Sequence, residues 1–290
     1  MAREAHAHMH DGAFKPARRY GWFEVRAVRV RLTLVDPRAE TVSRLRMGRW
    51  ASALRSAVSF VDSLCGPAPG RPRAVDVTVY LWDGVKVLLP DERQISSTNA
   101  NTGVSTVDSR GRAAVLVYRR EEALKTLVHE LLHAFRVGAW ADDDPEVQSA
   151  CSAMFRGLGL IGSSTRTWSA SEAIVDALAI RLAVHLFGGC SWEDCLAHAE
   201  GLSRRLVGRC LASGGIWRQS TSAFEYYCVK PALMRRMDDV LVAHRLGLRL
   251  PGKARMRDVF RAGLTARAVP IMPVEPVRMR MTPLLLAPAP

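Results

Sequence analysis

The sequence predicts an α+β fold: a small, mostly antiparallel N-terminal sheet packed on one apolar helix, followed by a mainly helical C-terminal half. Three observations predict it. Apolar and polar residues alternate with period two only before Arg119, as in half-buried strands. Beyond Tyr118, apolar residues recur at spacings of three and four, as in helices. With 48% hydrophobic residues in 290, the chain has enough apolar material for one substantial core.

The elements follow in order. Residues 1–20 are polar and are expected to be a disordered tail. Residues 24–35 alternate strictly and read as a strand, ended by Asp36 and Pro37. Residues 38–64 carry Val42, Leu45, Trp50, Leu54, Val58 and Val61 at helical spacing. The Gly- and Pro-rich run 65–72 is a loop. Residues 74–82 read as a strand, and Asp83-Gly84 offers a hairpin turn into 85–89. Residues 101–107, a turn at 108–111 and a strand at 113–118 complete the sheet-forming part. Helices are expected at 124–135, 145–158, 170–187, 191–212, 221–246 and 253–263. The Pro- and Met-rich stretch 266–290 reads as a second tail. This leaves a single domain over 21–265, with a sheet-containing half (21–137) and a helical half (138–265). No internal repeat is evident.

The chain has 41 Lys and Arg against 28 Asp and Glu, a net charge of +13 and a pI near 10.2. Such a surface attracts polyanions non-specifically. No compact basic-aromatic motif accompanies the charge, so a dedicated nucleic-acid fold is not predicted. Six cysteines lack C-x-x-C spacing, the start of the chain has no apolar signal segment, and no run of about 18 apolar residues suggests a membrane span. Together these predict reduced cysteines and an intracellular, non-secreted protein. His6, His8 and His10 alternate in the expected tail, where a flexible backbone offers no preorganised metal site.

The most informative residues are His129, Glu130 and His133, in the run Leu127-Val-His-Glu-Leu-Leu-His-Ala-Phe135. On a helix, residues four apart share a face, so His129 and His133 can present two ring nitrogens to one ion. Glu130 lies beside that face and can reach a water on the same ion, the H-E-x-x-H arrangement. Leucine, valine, alanine and phenylalanine occupy most other positions, so the helix is expected to be buried. Buried histidines and glutamates need a partner or a metal. A catalytic zinc takes three protein ligands. The best source of the third is the next apolar helix, where Glu172 and Asp176 again stand four apart. One carboxylate can ligate, and the other can accept the free ring N–H of a ligating histidine. Alternatively, Ser169 and Glu172 form a capping box, in which the glutamate serves only its own helix end.

H-E-x-x-H followed by a helix with E-x-x-x-D resembles the gluzincin metallopeptidases, the thermolysin-like group. The resemblance covers these two helices. It implies a zincin-like domain with His129, His133 and Glu172 as Zn2+ ligands, Glu130 as general base, Asp176 behind a ligating histidine, and a peptide or protein substrate. The longer run from Asn101 through Tyr118 to Glu130 is similar to uncharacterised metallopeptidase-like proteins of large DNA viruses, which implies a host-cytoplasmic or virion location. An edge strand beside the site helix can take up a substrate backbone; residues 101–107, with Asn101 and Gly103, are the candidate, or else an ordinary hairpin arm. An oxyanion donor is sought among Tyr226, Tyr227, His185, His198 and His244. The tyrosines are preferred because a capping box at Ser222 and Glu225 would place them at the start of a helix, which Pro231 then disturbs. The alternative functions are a catalytically silent, zinc-stabilised basic structural or nucleic-acid-associated (virion) protein, and a metal-dependent hydrolase of non-peptide substrates.

Overall fold

A computed structural model describes residues 17–39, 41–65, 71–84, 86–89, 92, 94–162, 167–241, 253–264 and 277–279. Alternation begins earlier than the expected strand at 24–35. β1 (Ala17–Val25) and β2 (Val28–Asp36) form an antiparallel hairpin, turning at Arg26 with φ 52°. Residues 17–20, expected in the tail, therefore belong to the sheet, and 1–16 lie outside the described residues. The large residues Tyr20 and Trp22 point outwards on β1, which disguised the alternation.

The chain then crosses under the sheet through α1 (Arg44–Cys65), which buries Trp50, Leu54, Val58 and Val61. It returns as β3 (Ala74–Tyr80), parallel to β2. After β4 (Val87–Leu88) and a single helical turn at Ser97–Ala100, β5 (Gly103–Val107) and β6 (Arg112–Val117) form a second hairpin. β6 pairs parallel with β3, so the sheet order is β1-β2-β3-β6-β5. Two of these four pairings are parallel, where a mostly antiparallel sheet was expected. For β2 and β3 the reason is α1, a helical crossover that brings the chain back in the same direction; β3 and β6 are parallel because the connection through β4 and β5 intervenes between them. The Asp83-Gly84 hairpin does not form either. β4 pairs with β7 (Val277–Arg278), a strand inside the expected C-terminal tail, and Met279 beside it is fully buried.

α2 (Ala123–Ala134) packs beneath β5 and β6, and its residues are buried except for a half-exposed His133. The helical half adds α3 (Pro145–Gly157), capped by the Asp144 side chain, and α4 (Ala170–Phe187), apolar nearly all round. α5 (Trp192–Ala212) is held by a capping box of Ser191 and Asp194. The expected helix at 221–246 opens instead as a π-helical turn, Glu225–Val229, before α6 (Lys230–Leu241). Pro231 supplies the cause, because it has no N–H for an α-type bond back to Tyr227. Glu225 does not cap its own helix: its carboxylate accepts from the Ser169 backbone N–H at 2.9 Å, at the start of α4. α7 (Lys253–Gly263) is the last helix among the described residues, and residues 242–246 lie outside them. One continuous core runs from the inner face of the sheet through α1, α2 and α4.

No helix among the described residues is long and apolar enough to cross a membrane. The six cysteines are free, with Cys151, Cys195 and Cys228 buried. Leu127, fully buried between α2 and the sheet, tests the packing. Leu127→Ala is expected to lower unfolding free energy by about 2–5 kcal/mol. In urea titrations this appears as a lower midpoint at unchanged slope; an unmoved midpoint would show that α2 does not seat on the sheet this way.

Candidate metal centre

Three helical segments each bring side chains four residues apart to one place. α2 contributes Lys125, His129 and His133; α4 contributes Glu172 and Asp176; the π turn and the start of α6 contribute Tyr226 and Lys230. The pairings show that α2 and α4 run antiparallel, since Lys125 meets Asp176 while His133 meets Glu172. The result is two tiers of polar groups, one above the other.

In the upper tier, His133 Nε2 lies 2.9 Å from Glu172 Oε2 and 3.1 Å from His129 Nε2, and His129 Nε2 lies 3.4 Å from Glu172 Oε2. A tetrahedral ion with bonds of 2.0–2.2 Å sets its ligand atoms about 3.3–3.6 Å apart. The three donors are already close to that spacing. In the lower tier, His129 Nδ1 lies 3.0 Å from Asp176 Oδ1, so Nδ1 carries a proton and Nε2 faces His133 and Glu172. Two imidazole nitrogens and a carboxylate oxygen that converge in this way could hold a metal ion. The residues present therefore fit a divalent ion. The capping-box alternative for Glu172 is not realised: Ser169 makes no side-chain cap, and the Glu172 carboxylate is taken up by His133 and Tyr226.

The electrostatics follow from burial and these contacts. Burial opposes charge on Glu172, but hydrogen bonds from His129 and His133 outweigh it and hold the carboxyl far below its usual range. Burial likewise opposes charge on His129, yet Asp176 and Glu172 lift it to about 9. Asp176 has no exposed surface. It is held well below the usual carboxylate range, against burial, by Lys125, which bonds Oδ1, and Lys230, whose Nζ donates to Oδ2 at 2.9 Å. A second buried pair, Lys86 with Glu122, sits at the foot of α2. Glu122 is the residue before the helix and adopts φ 60°, a left-handed conformation uncommon for a residue with a side chain.

Glu130 points the other way, toward β5. It is 6% exposed, its pKa is raised by burial, and it accepts a hydrogen bond from Ser105. Gly103 is where β5 passes closest: a Cβ there would lie 2.8 Å from Glu130 Oε1 and 2.7 Å from the Thr126 methyl. Among the described residues β5 is one of the two edge strands of the sheet, β1 being the other. Between it and the three donors lies a cleft of about 410 Å³, lined by Gly103, Ser105, Glu130, His133, Glu172 and Tyr226. A hollow of about 470 Å³ elsewhere, around Leu88, Leu206 and Trp217, gathers no comparable set of donors.

The other sequence-predicted residues divide. Tyr226 donates its hydroxyl to Glu172 Oε2 at 2.7 Å. Tyr227 faces away, giving its hydroxyl to the Met279 carbonyl at 3.0 Å. Asn101 lines the cleft, but its side-chain oxygen accepts from Thr221. His185 is exposed against Phe60, His198 is on α5, and His244 lies outside the described residues. Sequence reasoning missed Lys125, Lys230 and Ser105. Lys125 did leave a signal, since it precedes His129 by the same four residues that separate the two histidines.

No family model matches the chain, and no curated protein matches it. Among solved structures, it is similar to the crystal structure of an aminopeptidase N family protein from Idiomarina loihiensis, at 14% identity and a TM-score of 0.37. The alignment covers 86% of this chain and 42% of that one, so the chain spans less than half the length of its neighbour. A likeness of that degree assigns neither fold nor activity, and nothing in it points to a virus.

Proposed function

We propose that the chain is a metal-dependent hydrolase of peptide bonds, of the gluzincin type, with Zn2+ held by His129, His133 and Glu172. The observation that carries the reading is the convergence of these three donors with Glu130 on the adjoining side of the same cleft. Zinc on these donors would supply Lewis acidity and lower the pKa of a bound water towards neutrality. Glu130 would accept a proton from the attacking water and later hand it to the leaving amine. Its burial supports both roles, because desolvation raises the basicity of a carboxylate. Asp176 would keep the His129 proton on Nδ1. Tyr226, already beside Glu172, would turn its hydroxyl to the developing oxyanion. The free edge of β5 offers backbone N–H and C=O groups to an extended peptide, and Gly103 keeps that edge close to Glu130.

The reading has three tests. Glu130→Gln is expected to retain stoichiometric zinc by elemental analysis and to lose at least about a hundredfold in peptide hydrolysis. Equal turnover in the variant would remove Glu130 from the reaction, and a wild type that binds zinc without hydrolysing any peptide would favour the catalytically silent alternative. Gly103→Ala is expected to keep its zinc and lose activity, because the new methyl collides with the Glu130 carboxylate; an unchanged kcat would show that the strand yields instead. Lys230→Met removes one of the donors that hold Asp176. Zinc affinity, read by competition with a chelator, is expected to fall about 10- to 100-fold. The fall should vanish in an Asp176→Asn background, where the lysine has no carboxylate to hold. Tighter zinc binding in Lys230→Met would mean that the ammonium acts only as a charge opposing the cation.

A further inference from the structure

The outer face of the sheet, opposite α1 and α2, carries a second arrangement with chemistry of its own. On β1 the residues alternate between faces. Arg19, Gly21, Phe23 and Val25 turn inwards, where Gly21 approaches Met47 and Phe23 packs on the core. Arg18, Tyr20, Trp22 and Glu24 turn outwards. Tyr20 is 74% exposed and Trp22 57%, so no described element covers either ring. The two rings stand two residues apart on one strand, about 6.5–7 Å along it, with only a glycine between.

The neighbouring strand surrounds them with cations. In register with β1, Arg31 is opposite Trp22, Arg29 opposite Glu24 and Thr33 opposite Tyr20. The Arg31 guanidinium lies over the Trp22 ring at 5.3 Å and also bonds Asp76 at 3.1 Å. Arg18 and Arg29 are exposed, and no ion pair of either is found among the described residues. Around the two rings there are thus three guanidinium groups against two carboxylates, Glu24 and Asp76, on a chain whose net charge is +13. The wider sequence showed no basic-aromatic motif because these residues lie on two strands and every second one belongs to the other face.

We propose that this face binds single-stranded nucleic acid, with bases stacked on Tyr20 and Trp22 and phosphates held by Arg18, Arg29 and Arg31. Exposed aromatic rings on a sheet, spaced to take one base each and bordered by arginine, are the means by which proteins hold single strands without reading sequence. A duplex keeps its base faces internally stacked and cannot use the rings. A partner protein would bury the rings as well, but it would leave Arg18 and Arg29 without an evident counterpart. The site is separate from the metal centre, which lies beneath the opposite face, and it does not depend on hydrolysis.

The test is fluorescence anisotropy with the full chain and labelled oligothymidylate and oligouridylate of about 15 nucleotides, beside a duplex of equal length. The single strands are expected to bind more tightly than the duplex. Tyr20→Ala and Trp22→Ala should each weaken single-strand binding by roughly 5- to 100-fold, with more lost in the double variant. Arg18→Ala with Arg29→Ala should flatten the dependence of affinity on salt. Both rings are exposed, so the variants are expected to fold and to keep the zinc content of the unsubstituted chain. Three results would overturn the proposal: no binding of single strands; binding of equal strength in the aromatic variants, which would leave only the attraction of net charge; or self-association abolished by Trp22→Ala without oligonucleotide binding, which would assign the face to a second copy.

Discussion

One fully buried carboxylate organises the functional half of the molecule. Asp176 has no access to water, and both its oxygens accept hydrogen bonds, Oδ1 from His129 and Lys125 and Oδ2 from Lys230. Those donors come from α2 and α6, and Asp176 itself from α4. Three helices are thus fixed in mutual register by one side chain. The same register brings His129, His133, Glu172 and Tyr226 together one turn along, because every stripe repeats at four residues. The upper tier follows from the lower.

Energetics favours a positional role for this network over a stabilising one. Replacing buried ion pairs with well-packed apolar side chains is often neutral, or stabilises by about 1–4 kcal/mol. A core built for stability alone would carry leucine or methionine at 125, 176 and 230. Lys86 and Glu122 extend the point. Their pair lies just before the first residue of α2 and accompanies a left-handed Glu122 that costs about 1–2 kcal/mol in backbone strain. Strain and buried charge concentrate on the helix that carries both histidines, and the apolar face of the sheet supplies the stability that tolerates them.

Legibility in the sequence varied with the range of the interaction. His129, Glu130, His133, Glu172 and Asp176 could be read because each pair is set by a spacing within one helix. Helix α4 was read almost to the residue, since its apolar run is long and flanked by Ser169 and Gly188. The lysines were harder. Lys125 shares the histidine stripe, yet a lysine in a helix reads as solvent-facing until its partner is known, and Lys230 meets Asp176 only through the tertiary fold. Tyr226 and Tyr227 are adjacent, and no local rule tells which one faces the centre; the π turn before Pro231 decides it. Strand partners were least legible. β4 finds β7 across 191 positions of sequence (Val87 to Arg278), a pairing that no turn signal announces.

The two faces of the sheet divide the molecule's chemistry. The inner face is apolar because it must seat α1 and α2, and the position of α2 sets the distance between Glu130 and the edge at Gly103. Nothing in that requirement constrains the outer face. There the commonest device for protecting an exposed sheet is simple polarity, and the residues on β2 and β3 follow it with Arg29, Arg31, Thr33, Asp76 and Thr78. Tyr20 and Trp22 depart from it on the edge strand, where exposed rings invite aggregation unless something uses them. Their arginine border keeps the edge charged while leaving both rings accessible. An aromatic pair held in the open by charge is hard to explain as packing, and that separates it physically from every other large apolar cluster in the fold.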